Sequence, residues 1–162
     1  MNFRVSPFQQ NRYFWLAAAL GLLLDQLSKY WVTHTFSEIG DTLPIFSEIF
    51  HFTYVINTGA AFSLFSGGVE WLRWLSLLVS IGLILFVWLS PKLSLPEQLG
   101  YGCILAGAIG NGVCRFINSH VIDFLDFRLI QFPVFNLADV FINIGIVLLL
   151  YAAFFPVQGK TE

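Results

Sequence analysis

Apolar residues run in long unbroken stretches along this chain, and polar positions interrupt them at few places. Four stretches, residues 13–31, 71–89, 99–117 and 137–155, read as membrane-crossing helices, since a bilayer core of about 30 Å takes about 20 helical residues. The first continues through Asp25-Gln26-Leu27-Ser28-Lys29 into aromatics with no small-residue cleavage site. It is therefore expected to be a retained helix and not a cleaved signal peptide. Between the first two stretches, residues 34–70 lose the helical pattern. Phe50-His51-Phe52-Thr53-Tyr54-Val55-Ile56 is rich in β-branched and aromatic residues and ends at the turn signal Asn57-Thr58-Gly59, which predicts a strand or two lying over the membrane surface. Residues 118–136 form a second connecting loop.

Composition narrows the class. The 162 residues are 57% hydrophobic, 17% aromatic and only 11% charged, whereas a soluble domain carries roughly a quarter charged residues. One polytopic membrane domain over residues 1–162 is the expectation. A net charge of −2 with eight Lys and Arg leaves no basic face for nucleic acid. Cys103 and Cys114 would lie ~16 Å apart on one helix, too far for a disulfide, and read as packing residues. His34, His51 and His120 show no metal-ligand spacing, so neither a metal nor an organic cofactor is expected. No motif demands self-association, and a monomer is expected. The tail before the first stretch holds Arg4 and Arg12 and no acid, while residues 34–70 hold Glu38, Asp41, Glu48 and Glu70 and no Lys or Arg. With Lys92 in the short second loop and Lys160 in the tail, the positive-inside bias places the termini in the cytoplasm. Arg73, Arg115 and Arg128 fall on the opposite side.

The polar residues inside apolar stretches carry the chemistry. Asn136, Asp139 and Asn143 are spaced three and four apart, on one stripe of a helix. Capping accounts for Asn136 as N-cap and for an aspartate at the third helical position. It does not account for Asn143, a turn deeper. In the third stretch Cys103, Gly107, Asn111 and Cys114 recur at four, four and three residues, with Gly110 and Arg115 alongside. The glycines suit close helix packing, whereas Asn111 and Arg115 call for a polar partner. Val121-Ile122-Asp123-Phe124-Leu125-Asp126-Phe127 supplies one: Asp123 among apolar neighbours, with Asp126 as the rival acid. Asp25 and Lys29, four apart, are expected to form an intrahelical ion pair.

Five motifs in order resemble the bacterial lipoprotein signal peptidase family, signal peptidase II. They are Asp25-Gln26-Leu27-Ser28-Lys29, Asn57-Thr58-Gly59-Ala60-Ala61-Phe62, Gly107-Ala108-Ile109-Gly110-Asn111, Val121-Ile122-Asp123-Phe124 and Phe135-Asn136-Leu137-Ala138-Asp139. The resemblance implies an all-α membrane fold, a four-transmembrane-helix bundle with a small extracytoplasmic β-cradle and a short surface helix. It implies an aspartic endopeptidase of the bacterial cytoplasmic (inner) membrane that removes signal peptides from prolipoproteins, cutting before a diacylglyceryl-modified cysteine on the extracytoplasmic side. Asp123 and Asp139 would be the catalytic pair, with Asn57, Gly59, Asn111, Arg115, Asn136 and Asn143 lining or supporting the site and Asp25 and Lys29 supporting the fold. One position departs. The family usually reads Gly-Asn-x-x-Asp-Arg, and Gly110-Asn111-Gly112-Val113-Cys114-Arg115 has a cysteine at the acid. Either another acid such as Asp126 compensates, or the site is impaired or non-catalytic and binds lipidated precursors, or the chain is a divergent relative.

Two carboxyls sharing one proton can supply both the base that activates water and the acid that polarises the scissile carbonyl. Asn136 and Asn143 would orient Asp139, and Asn57 or Arg115 could hold the developing oxyanion. A rival class, a small proton-coupled transporter using Asp25, Asp139 and Asn143, needs ionisable groups at successive depths. The inner half of the last stretch, residues 145–155, has none.

Overall fold

The computed structural model describes residues 6–59, 69–130 and 132–155. A short helix α1 (Pro7–Gln10) leads into α2 (Arg12–Thr35), followed by strands β1 (Thr42–Phe46) and β2 (Phe50–Asn57), helices α3 (Val69–Leu89) and α4 (Leu95–Asn118), strand β3 (Val121–Phe127), a 3-10 turn at Arg128–Ile130, and α5 (Leu137–Phe154). The expected short surface helix is not among the described residues of the 34–70 loop, and residues 60–68 lie outside them.

Helix α4 is the centre of the bundle and packs against α2, α3 and α5. Its glycines allow this. A Cβ on Gly107 would strike the Ala138 carbonyl of α5, and one on Gly145 of α5 would stand 2.6 Å from the Gly100 carbonyl, so the two backbones touch as small residues permit. The helix starts at Leu95, earlier than the hydrophobic run, because Glu97 turns back to accept from Ser94 N at 2.8 Å and Ser94 Oγ at 2.6 Å, with Pro96 in the first turn.

Helices α3, α4 and α5 are each long and apolar enough to cross a membrane. In α2 the charged stretch Asp25–Lys29 dilutes the apolar run, yet that helix sorts its residues cleanly. Asp25 and Lys29 are 0% and 2% exposed, whereas Leu16, Leu20, Leu23, Leu24 and Leu27 all face outward.

The strands form one antiparallel sheet, β1-β2-β3. The strand expected at 50–56 is β2, longer by one residue, and β1 pairs with it inside the same loop. β3 lies within the second connecting loop, residues 118–136, where no strand is expected from the sequence pattern. Val121, Ile122 and Phe124 are buried there, so both faces of the strand are covered and the alternating signature is missing. Phe52, Tyr54, Ile122, Phe124 and Leu125 pack with Val32 of α2 and Leu137 of α5, which seats the sheet on one end of the bundle. Asp126 lies opposite His51 and Asp123 opposite Val55, with a register shift between Phe52 and Val55.

Candidate active site

The polar residues buried at that end form one connected network. Lys29 Nζ donates to Asp25 Oδ2 at 2.9 Å, the expected ion pair, and to Asn111 Oδ1 of α4 at 2.8 Å. Asp25 Oδ1 accepts from Ala138 N at 2.9 Å, taking one of the N–H groups that the start of α5 leaves unpaired. Asn111 Nδ2 donates to Asp139 Oδ1 at 2.9 Å. An ion pair on α2 thus fixes an amide on α4, and that amide fixes a carboxylate on α5.

Asn136, wholly buried, joins the second carboxylate to the first. Its side chain is the N-cap of α5, accepting from Asp139 N at 3.2 Å, while Asp139 Oδ2 accepts from Asn136 N at 3.2 Å. The same side chain donates Nδ2 to Asp123 Oδ1 at 2.6 Å and to Asn111 Oδ1 at 3.0 Å. Asp123 Oδ2 accepts from Asn57 Nδ2 at 2.8 Å, and Asn57 Oδ1 accepts from Gly59 N at 2.9 Å. Capping and carboxylate alignment are one arrangement here.

Asp123 is 2% exposed. Burial pushes its carboxyl up to about 6; the hydrogen bond from Asn57 pulls it back, the charge of Asp139 raises it, and Asn136 and Lys29 lower it. A carboxyl held near neutrality beside a second carboxyl can donate or accept a proton under ordinary conditions.

Both carboxylates open on a cleft of about 780 Å³. Its polar end holds Asn57, Asn111, Arg115, Asn136 and Asn143, and its apolar wall comes from Val140, Ile144, Val147 and Leu148 of α5 with Phe132, Pro133 and Val134. That last segment gave no signal in the sequence, because an apolar tripeptide in a loop has no period to read.

Asn143 lines the cleft but does not orient the Asp139 carboxylate. Its Nδ2 donates to the Asp139 main-chain carbonyl at 2.8 Å, so the amide is satisfied within its own helix. Asp126 does not serve Arg115. It accepts from Thr53 Oγ1 at 2.7 Å and from Arg128 Nε at 2.9 Å. Arg115 instead donates Nη2 to the Gly59 carbonyl at 3.4 Å, and its buried Nε has no partner among the described residues. Cys114 is buried and does not line the cleft, and Cys103 is likewise a free thiol. Among the described residues no group of His, Cys, Asp and Glu could hold a metal ion.

The fold is that of a membrane enzyme. A bacterial membrane enzyme structure determined at 2.3 Å resolution superposes with a TM-score of 0.81 at 29% identity, covering 92% of each chain. A second, at 1.9 Å resolution, gives 0.78 at 29% identity, over 88% of this chain and 93% of that one. The family model described as signal peptidase (SPase) II matches residues 17–155. The chain is 64% identical over 147 residues to the lipoprotein signal peptidase of Microcystis aeruginosa, covering 91% of this chain and 95% of that one. It is 63% identical to the Synechocystis protein of the same name, covering 93% of each. The chain therefore belongs to the signal peptidase II family and is an endopeptidase of the aspartic type.

Proposed function

We propose that Asp123 and Asp139 are the catalytic pair, and that the enzyme removes the signal peptide from prolipoproteins by cutting before a diacylglyceryl-modified cysteine. The observation that carries this reading is the position of Asn136. One buried amide binds the Asp123 carboxylate and the Asp139 backbone, at the mouth of a cleft whose other wall is apolar.

Two carboxyls sharing such a site hold one proton between them, and the pair titrates as a unit. The ionised member takes a proton from water, and the hydroxyl oxygen attacks the scissile carbonyl. The protonated member gives its proton to the carbonyl oxygen, forming a gem-diol; as the C–N bond breaks, the first member passes the proton it took from water to the departing amine, and the second recovers its own from the diol hydroxyl. Asn57 is engaged with Asp123, so Arg115, which lines the cleft, is the group available to the developing oxyanion. Asn57, Asn111 and Asn136 hold the carboxyls in place. The apolar wall of α5 suits the lipid chains and signal helix of a substrate that resides in the bilayer.

In this reading α2 is a fourth span. It has 24 residues, about 36 Å of helix, with leucines outward and charges paired inward. The chain is then one polytopic domain of the bacterial cytoplasmic membrane with its termini in the cytoplasm. Arg73 and Arg128, on the outer side, are neutralised by Glu70 at 2.7 Å and Asp126 at 2.9 Å. Arg12 and Lys92, on the inner side, are exposed, as the positive-inside bias prefers. Every side chain of the network comes from one chain, which suits a monomer.

The test is release of a signal peptide by purified protein in detergent from a diacylglyceryl-modified precursor and from the same precursor without lipid. Cleavage of the lipidated form alone, abolished by Asp123→Asn and by Asp139→Asn, is expected. Wild-type turnover by either variant contradicts the assignment of the pair, and equal cleavage of both precursors contradicts the substrate.

A further inference from the structure

The sheet carries buried polar side chains that this chemistry does not use. On β2 the alternation is regular. Phe52 and Tyr54 pack with Ile122 and Phe124 in one apolar cluster, and Ile56 lies opposite Ile122. His51, Thr53, Val55 and Asn57 therefore share the other face. On β3 the alternation fails. Asp126 lies opposite His51 and Asp123 opposite Val55, so a four-residue step on β2 matches a three-residue step on β3.

Strict alternation would put two residues three apart on opposite faces, and Asp123 would turn from Asn57 toward the apolar cluster. Thr53 and Tyr54 of β2 lie against Phe124 alone, and this extra residue on β2 is absorbed as a bulge in the pairing. Phe124 and Leu125 both donate N–H to the Phe135 carbonyl, at 2.9 and 2.8 Å, and both side chains lie in the apolar cluster. Asp123 and Asp126 are left facing the same way.

At the bulge sits a knot of polar side chains. Asp126 Oδ2 accepts from Thr53 Oγ1 at 2.7 Å and from Arg128 Nε at 2.9 Å. Thr42 Oγ1 lies 2.9 Å from Thr53 Oγ1 and 3.1 Å from His51 Nδ1, and accepts from Arg128 Nη2 at 3.1 Å. Asp126, Thr53 and His51 are buried. Well-packed apolar residues could stabilise such a site as well as a buried charge does. They would tolerate a one-residue slip, whereas a slip parts Asp126 from Thr53 and leaves a buried carboxylate with Arg128 of its own segment as its remaining partner.

We propose that Asp126, held by Thr53, is a positioning residue that locks the β2–β3 register and so keeps Asp123 against Asn57. The proposal rests on the reading of Asp123 as half of the catalytic pair. Neither Asp126 nor Thr53 lines the cleft, so both act through Asp123 and neither touches substrate.

The experiment is the pH dependence of kcat and KM on a diacylglyceryl-modified precursor for Asp126→Asn, Thr53→Val and Asn57→Ala, with melting temperatures in the same detergent. Asp126→Asn keeps the shape of the side chain, and Thr53→Val leaves every charge in place. In both, kcat is expected to fall about tenfold with KM nearly unchanged, and the acid limb to move up by about one pH unit, as in Asn57→Ala. The sign follows from the bond lost, because Asn57 favours the ionised form of Asp123. The other charged groups facing Asp123 stay as they are: Asp139 from α5, Lys29 from α2 and Arg115 from α4. Combining Asp126→Asn with Asn57→Ala is expected to add nothing to Asn57→Ala alone.

A loss of kcat that is uniform across pH and follows the melting temperature overturns the proposal, as does an additive double variant or an unchanged kcat. Asp123→Asn and Asp139→Asn run in the same assay separate the two readings. If they turn over like wild type, the catalytic pair is wrong. If they are inactive while Asp126→Asn matches wild type, only the register lock is wrong.

Discussion

Two asparagines on α5 show how much position decides. Asn136 is the N-cap of the helix and serves Asp123 with the same amide, whereas Asn143 spends its amide on a carbonyl one turn back. In sequence both were polar residues on one stripe of an apolar helix, and spacing could not tell the capping amide from the self-satisfied one. Asn143→Ala is therefore expected to keep kcat/KM within about threefold of wild type, since it removes a bond worth about 1 kcal/mol that never reaches the carboxylate. A hundredfold loss in the same precursor assay would return Asn143 to the site. Asp123 carries a stability prediction of its own. An unfolded aspartate ionises near pH 3.9, but the buried one keeps its proton up to about 6, so the folded state binds more protons between those values. Stability from this group therefore falls as pH rises from about 4 to about 6 and is level above. The difference in melting temperature between wild type and Asp123→Asn, followed over that window, should change in the same sense, and a flat difference would contradict the burial argument.

At the scale of elements, α4 and α5 meet backbone to backbone because glycine leaves room. Gly107 faces the Ala138 carbonyl and the Ile142 side chain, immediately beside the start of α5 that carries Asp139. Gly107→Val should force the helices apart at a cost of about 1–3 kcal/mol or more, lowering both the melting temperature in detergent and kcat/KM, while Gly82→Ala, with open space around its Cα, should lower neither. The packing role of Gly107 was legible from its four-residue spacing to Cys103 and Asn111. β3 was not legible, since a strand buried on both faces and paired across a bulge shows no period of two. Asp126 was misread for a related reason. Its partner Arg128 lies two residues on in the sequence, while the candidate pairing with Arg115 looked for a partner on another element.

Across the whole molecule, one buried chain of bonds runs from Asp25 and Lys29 on α2 through Asn111 on α4 to Asp139 on α5, and through Asn136 to Asp123 on β3. The intrahelical half of this was readable as an i, i+4 pair. The reach of Lys29 to α4 and of Asp25 to the α5 backbone was not, because nothing in a sequence sets the rotation of one helix against another. Lys29→Met should leave Asp25 charged and unpaired in the interior, a loss of about 3–5 kcal/mol. Unfolding in denaturant at neutral pH would read it, and a variant as stable as wild type would mean that the pair does not hold the bundle. Catalysis as proposed depends on one proton shared by Asp123 and Asp139. The pH profile of kcat/KM on a diacylglyceryl-modified precursor tests this most directly, with Asp123→Asn and Asp139→Asn alongside. A shared proton predicts a bell, since the ionised member is lost at low pH and the shared proton at higher pH, across a range that includes the value of about 6 to which burial raises Asp123, with no turnover by either variant at any pH. A rate that ignores pH across that range, or a bell retained by either variant, would contradict it.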